Sequence, residues 1–402
     1  MVDFRTIRIA DFGRVITGKT PPSSQPELFG DIHPFLTPTD IDGYARHIEP
    51  DRFLSSAGRD YQYRLMLPKR AVCVVCIGAT IGKVCMTDRP SFTNQQLNSV
   101  VVNEDEHDPF FVYHLLTTLR DELKSNAGGA ATPIINKTAF SEIKVSVPPL
   151  AAQRRIAGIL SAYDELIENS QRRIKILEAM ARGLYREWFV HFRFPGHENH
   201  PRVASALGEI PKGWEVKKLG EIAEDMRRNV PKGKLEESSP YVGLEHIPRR
   251  ALALDAWETT TELGSNKLEF WKGEVLFGKI RPYFHKVSVA PFDGLCSADT
   301  IVIRARQPEH YACVVACVSS DAFVAEASAT ANGAKMPRAN WDVLKQYLVA
   351  IPTGEVADKF SALIAGVIAQ QQALIFQIQN LRRTRDLLLP RLLSGQINVD
   401  AQ

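Results

Sequence analysis

Charge imbalance, cysteine and long apolar runs are all scarce in this chain. Its 402 residues carry 49 Lys and Arg against 46 Asp and Glu, a formal net charge of +3. So small an excess argues against attachment to nucleic acid or an acidic membrane by overall field alone, and leaves room for local basic patches. Six cysteines are too few for a disulfide framework in a chain of this length. Cys73-x-x-Cys76 and Cys313-x-x-x-Cys317 have loosely metal-like spacing, but both lie in apolar stretches and read as buried, reduced thiols. No metal site is expected. The longest apolar run, residues 71–79, is about half of the ~18 residues that suggest a membrane span. The opening Met1-Val2-Asp3-Phe4-Arg5 lacks a basic-then-apolar leader. A soluble protein of the reducing cytoplasm is expected, with no membrane partner. What is plentiful is globular material. A composition of 45% apolar and 24% charged residues excludes a disordered chain. The length predicts two or three domains.

The chain repeats itself at half its length. Pro133 answers Pro337, Asn136 answers Asn340, Val147 answers Ile351 and Pro148 answers Pro352, all at an offset of 204. Upstream, Val72-Cys73-Val74 answers Val275-Leu276-Phe277 and Gly82-Lys83-Val84 answers His285-Lys286-Val287, at an offset of 203. The one-residue difference marks a loop insertion between diverged copies, and the repeating unit is a domain plus a helix. Each copy opens with short β-rich segments punctuated by Gly and Pro (5–102 and 214–304). A helix candidate follows (109–125 and 309–327), then a loop, then a short strand ending in proline, then a long helix.

The long helices carry the strongest periodicity. In copy one, Ile156, Tyr163, Ser170, Leu177 and Leu184 recur every seven residues, and Leu160, Ile167, Ile174, Ala181 and Trp188 form a second row. In copy two the rows are Phe360, Val367, Leu374, Leu381 and Leu388, then Ile364, Gln371, Ile378, Arg385 and Leu392. Two such seams are expected to pack on each other, with Ser170 and Gln371 pinning the register. Pro149 and Pro352 suit helix starts, and Pro390 an end or kink. Each helix is about 35 residues long, or 52 Å at ~1.5 Å per residue. The expected boundaries are 1–150 for the first domain, 151–190 for its helix and 191–211 for a linker. The second domain is expected at 212–352, its helix at 353–393 and a tail at 394–402. His197-x-x-His200 falls in the linker and reads as solvated.

Several motifs tempt and fail. Residues 13–20 fit the phosphate-binding pattern G-x-x-x-x-G-K-[ST], but Pro21-Pro22 follows at once. A helix cannot start there, and its N–H groups are what would hold phosphate. Asp121 with Glu142-Ile143-Lys144 loosely resembles a nuclease centre, yet the repeat replaces Glu142 and Lys144 by Gln346 and Leu348. The Pro-Pro pairs are Thr20-Pro21-Pro22-Ser23 and Val147-Pro148-Pro149-Leu150, not an amino-methyltransferase tetrapeptide, and its glycine-rich cofactor loop is missing. No catalytic residue is assigned.

Two ordered sets of motifs remain. Copy one has Thr17-Gly18-Lys19-Thr20-Pro21-Pro22, Ile77-Gly78-Ala79-Thr80-Ile81-Gly82-Lys83-Val84, Ala127-Gly128-Gly129 through Asn136-Lys137, and Pro148-Pro149-Leu150-Ala151-Ala152-Gln153. Copy two has residues 278–287 and 332–341, while its junction Ile351-Pro352-Thr353-Gly354-Glu355 lacks the Pro-Leu-x-x-Gln form. Nearly the whole chain resembles the specificity subunit of a type I restriction–modification system. The resemblance implies an α/β (α+β) fold with two similar target-recognition domains, two long antiparallel coiled-coil-like helices between them, and a pseudo-twofold repeat. It implies a non-catalytic subunit that reads a bipartite site on double-stranded DNA. It further implies two methylation subunits carrying S-adenosylmethionine, and restriction subunits using ATP and Mg. A heptad-mediated scaffold or regulatory DNA-binding protein is the competing reading.

Candidate DNA contacts follow from residue type, Arg and Lys for guanine or phosphate, Asn and Gln for adenine. In copy one they are Thr17, Lys19, Thr20, Thr80, Lys83, Asn94, Gln95, Gln96, Asn136 and Lys137. In copy two they are Arg227, Arg228, Asn229, Lys232, Lys279, Arg281, Tyr283, Lys335, Arg338 and Asn340. Asn136 and Asn340 also suit helix caps, and Gly78, Gly82, Gly128, Gly129 and Gly333 suit close approach or positive φ. Residues 1–150 carry a net −1 and residues 205–352 a net zero. Such neutral readers are expected to borrow non-specific grip from partners. If the helix pair sets the gap between half-sites, inserting one heptad into both helices should change the tolerated DNA spacer. An unchanged spacer, read by methylation of a spacer library, would refute this.

Overall fold

The computed structural model describes residues 4–41, 45–128, 133–333 and 335–399; Gly129 falls outside them. The chain is mixed α/β and divides into two compact units, Met1–Glu168 with Asn380–Gln402, and Asn169–Gln379.

Unit one is built on a four-stranded antiparallel sheet in the order Gly13–Thr17, Leu97–Val102, Val72–Val75, Val84–Met86. The apolar run at 71–79 supplies its inner strand. Every residue of Val72–Val75 is buried, because the two faces meet different cores. Val72 and Val74 join Phe111, Val112, Phe140, Ile156 and Leu160 on one side. Cys73 and Val75 join Ile16, Leu36, Cys85 and Leu97 on the other. A strand covered on both faces reads as a continuous apolar run. A second sheet of short strands follows the order Phe29–Gly30, Phe53–Leu54, His33–Leu36, Phe92–Thr93, the last pair parallel. Arg5–Arg8 pairs with Lys144–Val147 as a separate antiparallel ribbon.

Unit two repeats the first sheet in the same order: Ala223–Asp225, Thr300–Ala305, Val275–Gly278, Val287–Val289. The alternation recurs, with Val275 and Phe277 facing one core and Leu276 the other. Glu215–Lys218 pairs with Leu348–Ile351 as Arg5–Arg8 does with its partner. The second sheet is different and larger: Arg228–Val230, Lys267–Phe270, Gly294–Ser297, Gly233–Val242, Glu258–Leu263.

The long helices run Leu150–Tyr185 and Glu355–Leu393. In unit one, Ile156, Ala157 and Leu160 share a core with Leu388, Leu389, Leu392 and Leu393. In unit two, Ala181, Leu184, Trp188 and Phe189 share a core with Phe360, Ile364, Val367 and Ile368. Of the seam residues, Ile156, Leu160, Ile167, Ile174, Phe360, Ile364, Leu374 and Ile378 are buried. Tyr163, Leu177, Leu184, Val367, Leu381 and Leu388 are half-buried. At several points the buried residue lies one place past the heptad position: Asp164, Glu178, Ile368 and Ile375. A helix of 3.6 residues per turn drifts by ~20° per heptad against a strict 3.5 repeat. Ser170 and Gln371 are buried, as their place in the rows requires. By length and composition alone the second helix is apolar enough to span a bilayer. Its Phe360, Ile364, Ile368, Leu374, Ile375 and Ile378 are instead buried within unit two.

The structure refines the sequence reading of the helices and the junctions, and departs from it in the shorter helices and the linker. The helix expected at 109–125 is two, Pro109–Thr118 and Arg120–Ser125, and that at 309–327 breaks before Asp321–Ala329, where Ser320 caps the new helix by accepting from Phe323 N at 3.2 Å. The second long helix continues through Pro390 to Leu393. Residues 191–211 are not a bare solvated linker. Arg202–Ser205 and Gly208–Pro211 form a hairpin, and Phe194 is buried against Trp214 at a centroid distance of 5.5 Å. Finally, Gln153 of the Pro-Leu-x-x-Gln junction faces inward. Its amide donates to Pro148 O at 2.9 Å and accepts from Asp108 N at 3.1 Å, fastening the helix start to its own domain.

A buried polar cluster stands where unit one meets its helix ends. Asp164 accepts from the Arg385 guanidinium at 2.7 Å, and its other oxygen lies 3.3 Å from His114 Nε2. Arg46 pairs with Glu168 at 3.2 Å. The repeat replaces Asp164 and Arg385 by Ile368 and Ala181, so this cluster has no counterpart in unit two. Removing one partner of a buried pair leaves an uncompensated charge, expected to cost about 3 kcal/mol. R385M should lose this much in urea unfolding, D164L should lose less because Arg385 keeps Asp386 at 2.9 Å, and D164L/R385M should recover most of the R385M loss. Additive losses would refute the pairing. Burial pushes His114 down to about 4 from an ordinary 6.5; Asp164 opposes the shift, and Arg385 and Arg46 reinforce it. The unfolded chain then binds a proton that the folded chain refuses. Stability should be full above pH 6.5 and decline as pH falls toward 4. H114Q should flatten that slope.

Candidate nucleic-acid interface

The loops at the end of the repeated sheet are built twice from the same hydrogen bonds. Ile77 bridges Ile134, and Ile280 bridges Arg338; Gly128 bridges Ile134, and Asn332 bridges Arg338. Gly78 N donates to Pro133 O at 3.0 Å, and Arg281 N to Pro337 O at 2.8 Å. Both hinge residues hold positive φ, +96° at Gly78 and +49° at Arg281. The same is true of Gly82 at +84° and His285 at +52°. Glycine takes this conformation without penalty, whereas a side chain there costs strain. Lys83 Nζ donates to Ile41 O at 2.6 Å, and Lys286 Nζ donates to Leu244 O. Burial lowers the Lys286 ammonium, with Arg249 adding to the effect. Asn94 Oδ1 accepts from Gln96 N at 3.0 Å, and Ser297 Oγ from Asp299 N at 3.2 Å, one turn made with two residue types.

Many candidate contacts therefore hold the fold. Lys83 and Asn94 are engaged as described. Thr80 O accepts from Lys83 N at 3.2 Å within the same turn. Asn136 caps Lys137–Glu142 by accepting from Ala139 N at 2.8 Å, and Asn340 caps Trp341–Leu344 through Asp342 N at 2.9 Å. Thr17 donates to Asn98 Oδ1 at 2.6 Å, and Gln96 accepts from Asn94 Nδ2 at 3.0 Å. Lys279 donates to Ala298 O at 2.9 Å, Arg227 to Asp225 at 2.7 Å and Arg338 to Asp299 at 3.4 Å. Arg281 is half-buried, its guanidinium 6.0 Å from the Phe284 ring centre, and exposed Tyr283 stands edge-on to that ring at 4.9 Å. Arg228 neutralises buried Glu274 together with Arg304, whose Nε lies 2.8 Å away; both guanidiniums stack on Trp271 at 4.4 Å.

Others point outward. Lys19, Gln95, Lys137, Asn229, Lys232 and Lys335 are exposed, and among the described residues no ion pair engages Lys19, Lys137, Lys232 or Lys335. Lys19 lies 5.8 Å from the centre of the Tyr61 ring, and Thr20 donates to Gln95 Oε1 at 2.8 Å. Residues 13–17 of the phosphate-loop pattern are a strand, and Gly18 sits so close to Thr93 that a Cβ would lie 2.2 Å from its carbonyl oxygen. Sequence reasoning missed Tyr61, Tyr63 and Arg64, all exposed, and half-exposed Trp271. The signal was the alternation of basic and aromatic residues in Arg59-Asp60-Tyr61-Gln62-Tyr63-Arg64.

Residues 1–179 match the family model described as type I restriction modification DNA specificity domain. The chain is 26% identical to the type I restriction enzyme MjaIX specificity subunit of Methanocaldococcus jannaschii, over 99% of this chain and 94% of that protein. It is 32% identical to the HindI specificity subunit of Haemophilus influenzae, over 42% of this chain and 38% of that protein. Among solved structures it resembles a type I restriction–modification S subunit from M. genitalium. The TM-score is 0.59 at 15% identity, over 97% of this chain and 96% of that one. That likeness carries the fold, while the match to the MjaIX subunit spans both repeats. The chain is thus similar over nearly its whole length to a specificity subunit of a type I restriction–modification system, and its first 179 residues match the DNA specificity domain of such systems.

Proposed function

We propose that each unit reads one half of a split, asymmetric site on double-stranded DNA. The observation that carries this reading is one scaffold sheet used twice with two different second sheets. A repeated scaffold gives related placement of a reading surface, and unlike second sheets give unlike half-sites. The chain supplies recognition and no catalytic centre. Two methylation subunits, carrying S-adenosylmethionine, and restriction subunits, using ATP and Mg, supply the chemistry when bound. The complex acts in the cytoplasm, where it methylates or cleaves DNA at addresses this chain selects.

The near-neutral recognition domains suit a subunit whose non-specific grip is lent by its partners. Neutralised phosphates set the salt dependence of DNA binding. Of the candidate contacts, Lys19, Lys137, Lys232 and Lys335 are exposed and enter no ion pair among the described residues, so they are free to contact phosphate.

Sequencing of methylated positions in DNA exposed to the chain with its methylation subunits should yield a split motif, one methylated base in each half. A continuous motif, or none, would overturn the reading. The isolated chain should bind DNA weakly, and tight specific binding by it alone would remove the role given to partners. K19M should weaken the complex on all sequences alike and make its salt dependence shallower. K83M should lower thermal stability instead, since its ammonium serves Ile41 O.

A further inference from the structure

Two half-sites that differ cannot be told apart by features the two units share. The sheet order, the loop bridges, the lysine-to-carbonyl anchors and the turns at 94–96 and 297–299 are common to both. Discrimination has to come from what is carried by one unit alone. In unit one that is the helical segment Ser56–Tyr61 and Tyr63–Leu65, which follows Phe53–Leu54 of the second sheet.

The segment is rigidly seated. Ser55 Oγ caps it by accepting from Gly58 N at 3.1 Å and donates to Glu27 O at 2.6 Å. Gly58 is pressed on the chain behind it, so that a Cβ there would stand 2.0 Å from Leu28 O. On this fixed base Tyr61 and Tyr63 are 47% and 63% exposed. Arg64 is exposed beside them and enters no ion pair among the described residues. Gln62, between the tyrosines, is only 5% exposed, and neither its Nε2 nor its Oε1 has a hydrogen-bond partner. A buried amide without partners is costly. Lys19 over the Tyr61 ring joins the segment to the turn that holds Thr20 and Gln95.

We infer that Tyr61, Tyr63 and Arg64 form the surface that discriminates bases in the first half-site, with Lys19 holding the adjacent phosphate. The inference rests on the DNA-reading role proposed above. A planar guanidinium suits a guanine edge. The rings add apolar contact that a lysine-rich patch lacks, and preference among bases depends on contacts to their edges, not on charge. Among the described residues unit two has no equivalent segment: its second sheet carries the strands Gly233–Val242 and Glu258–Leu263 instead.

The test uses the full chain assembled with its methylation subunits. Binding is measured by competition against duplexes randomised in one half-site at a time, for the native chain, Y63A, R64Q and Y63A/R64Q. Y63A/R64Q should lose about tenfold in affinity for the native site. Its preference should relax in the first half-site and stay unchanged in the second. R64Q alone should relax fewer positions, and thermal unfolding should match the native chain because both residues are exposed. Unchanged preference in both half-sites would overturn the inference. So would normal preference with failure to bind methylation subunits, which would make the patch a protein contact. A native complex with no preference in either half-site would instead remove the DNA reading on which the inference rests.

Discussion

A strand buried on both faces can offer a ligand nothing but its ends. Val72–Val75 and Val275–Gly278 are such strands, each wedged between two cores, and the rest of each unit is arranged around that constraint. One core is closed by helices, including the ends of the long pair. The other is closed in unit two by the second sheet, and in unit one by Leu36 of that sheet with Ile41 and Leu67 of the connecting segments. Loops at the strand ends and the outer surface of the second sheet are what remain for contact. This separation explains how one scaffold tolerates two quite different second sheets. Changes there leave Val72, Val74, Val275 and Phe277 and the cores they face untouched.

The loops themselves are held firmly by bonds that do not depend on side-chain identity. Gly78 and Arg281 make the same backbone bond to a proline carbonyl although one has a side chain and the other none. Asn94 and Ser297 cap the same turn. The two units hold the same backbone geometry with different residues, and Arg281 and His285 take at positive φ the places that Gly78 and Gly82 hold in unit one. Lys83 and Lys286 occupy matching places, and each donates its ammonium to a backbone carbonyl, that of Ile41 and that of Leu244.

Much of this was legible in the sequence. The repeat was visible as paired residues, the inner strands as apolar runs, the long helices as rows of Leu and Ile. What stayed hidden depends on partners far away in the chain. Asp164 and Glu178 look like solvent-facing charges on a helix. One is buried on Arg385, and the other on the backbone N–H groups of Leu252 and Ala253 at 2.7 and 3.0 Å. Lys83 reads as a free cation until Ile41 is brought to it. Gln153 reads only as a motif residue until Pro148 and Asp108 claim its amide. Tyr61 and Tyr63 were passed over because residue-type rules for base edges favour Arg, Lys, Asn and Gln, and a tyrosine is as often found in a core. In each case the residue type was plain and its surroundings were not.

The division of the long helices between units sets an order of assembly. Unit two lies wholly within Asn169–Gln379. Unit one needs residues from both termini: Leu388, Leu389, Leu392, Leu393, Ile397 and Val399 pack on its core. During synthesis, which proceeds from the N-terminus, the unit begun first must wait for residues 388–399 to close its core. The second half has its whole sequence before the final turns of the last helix emerge. A chain cut short by some twenty residues would therefore lose the closure of its earliest domain and keep its latest one whole.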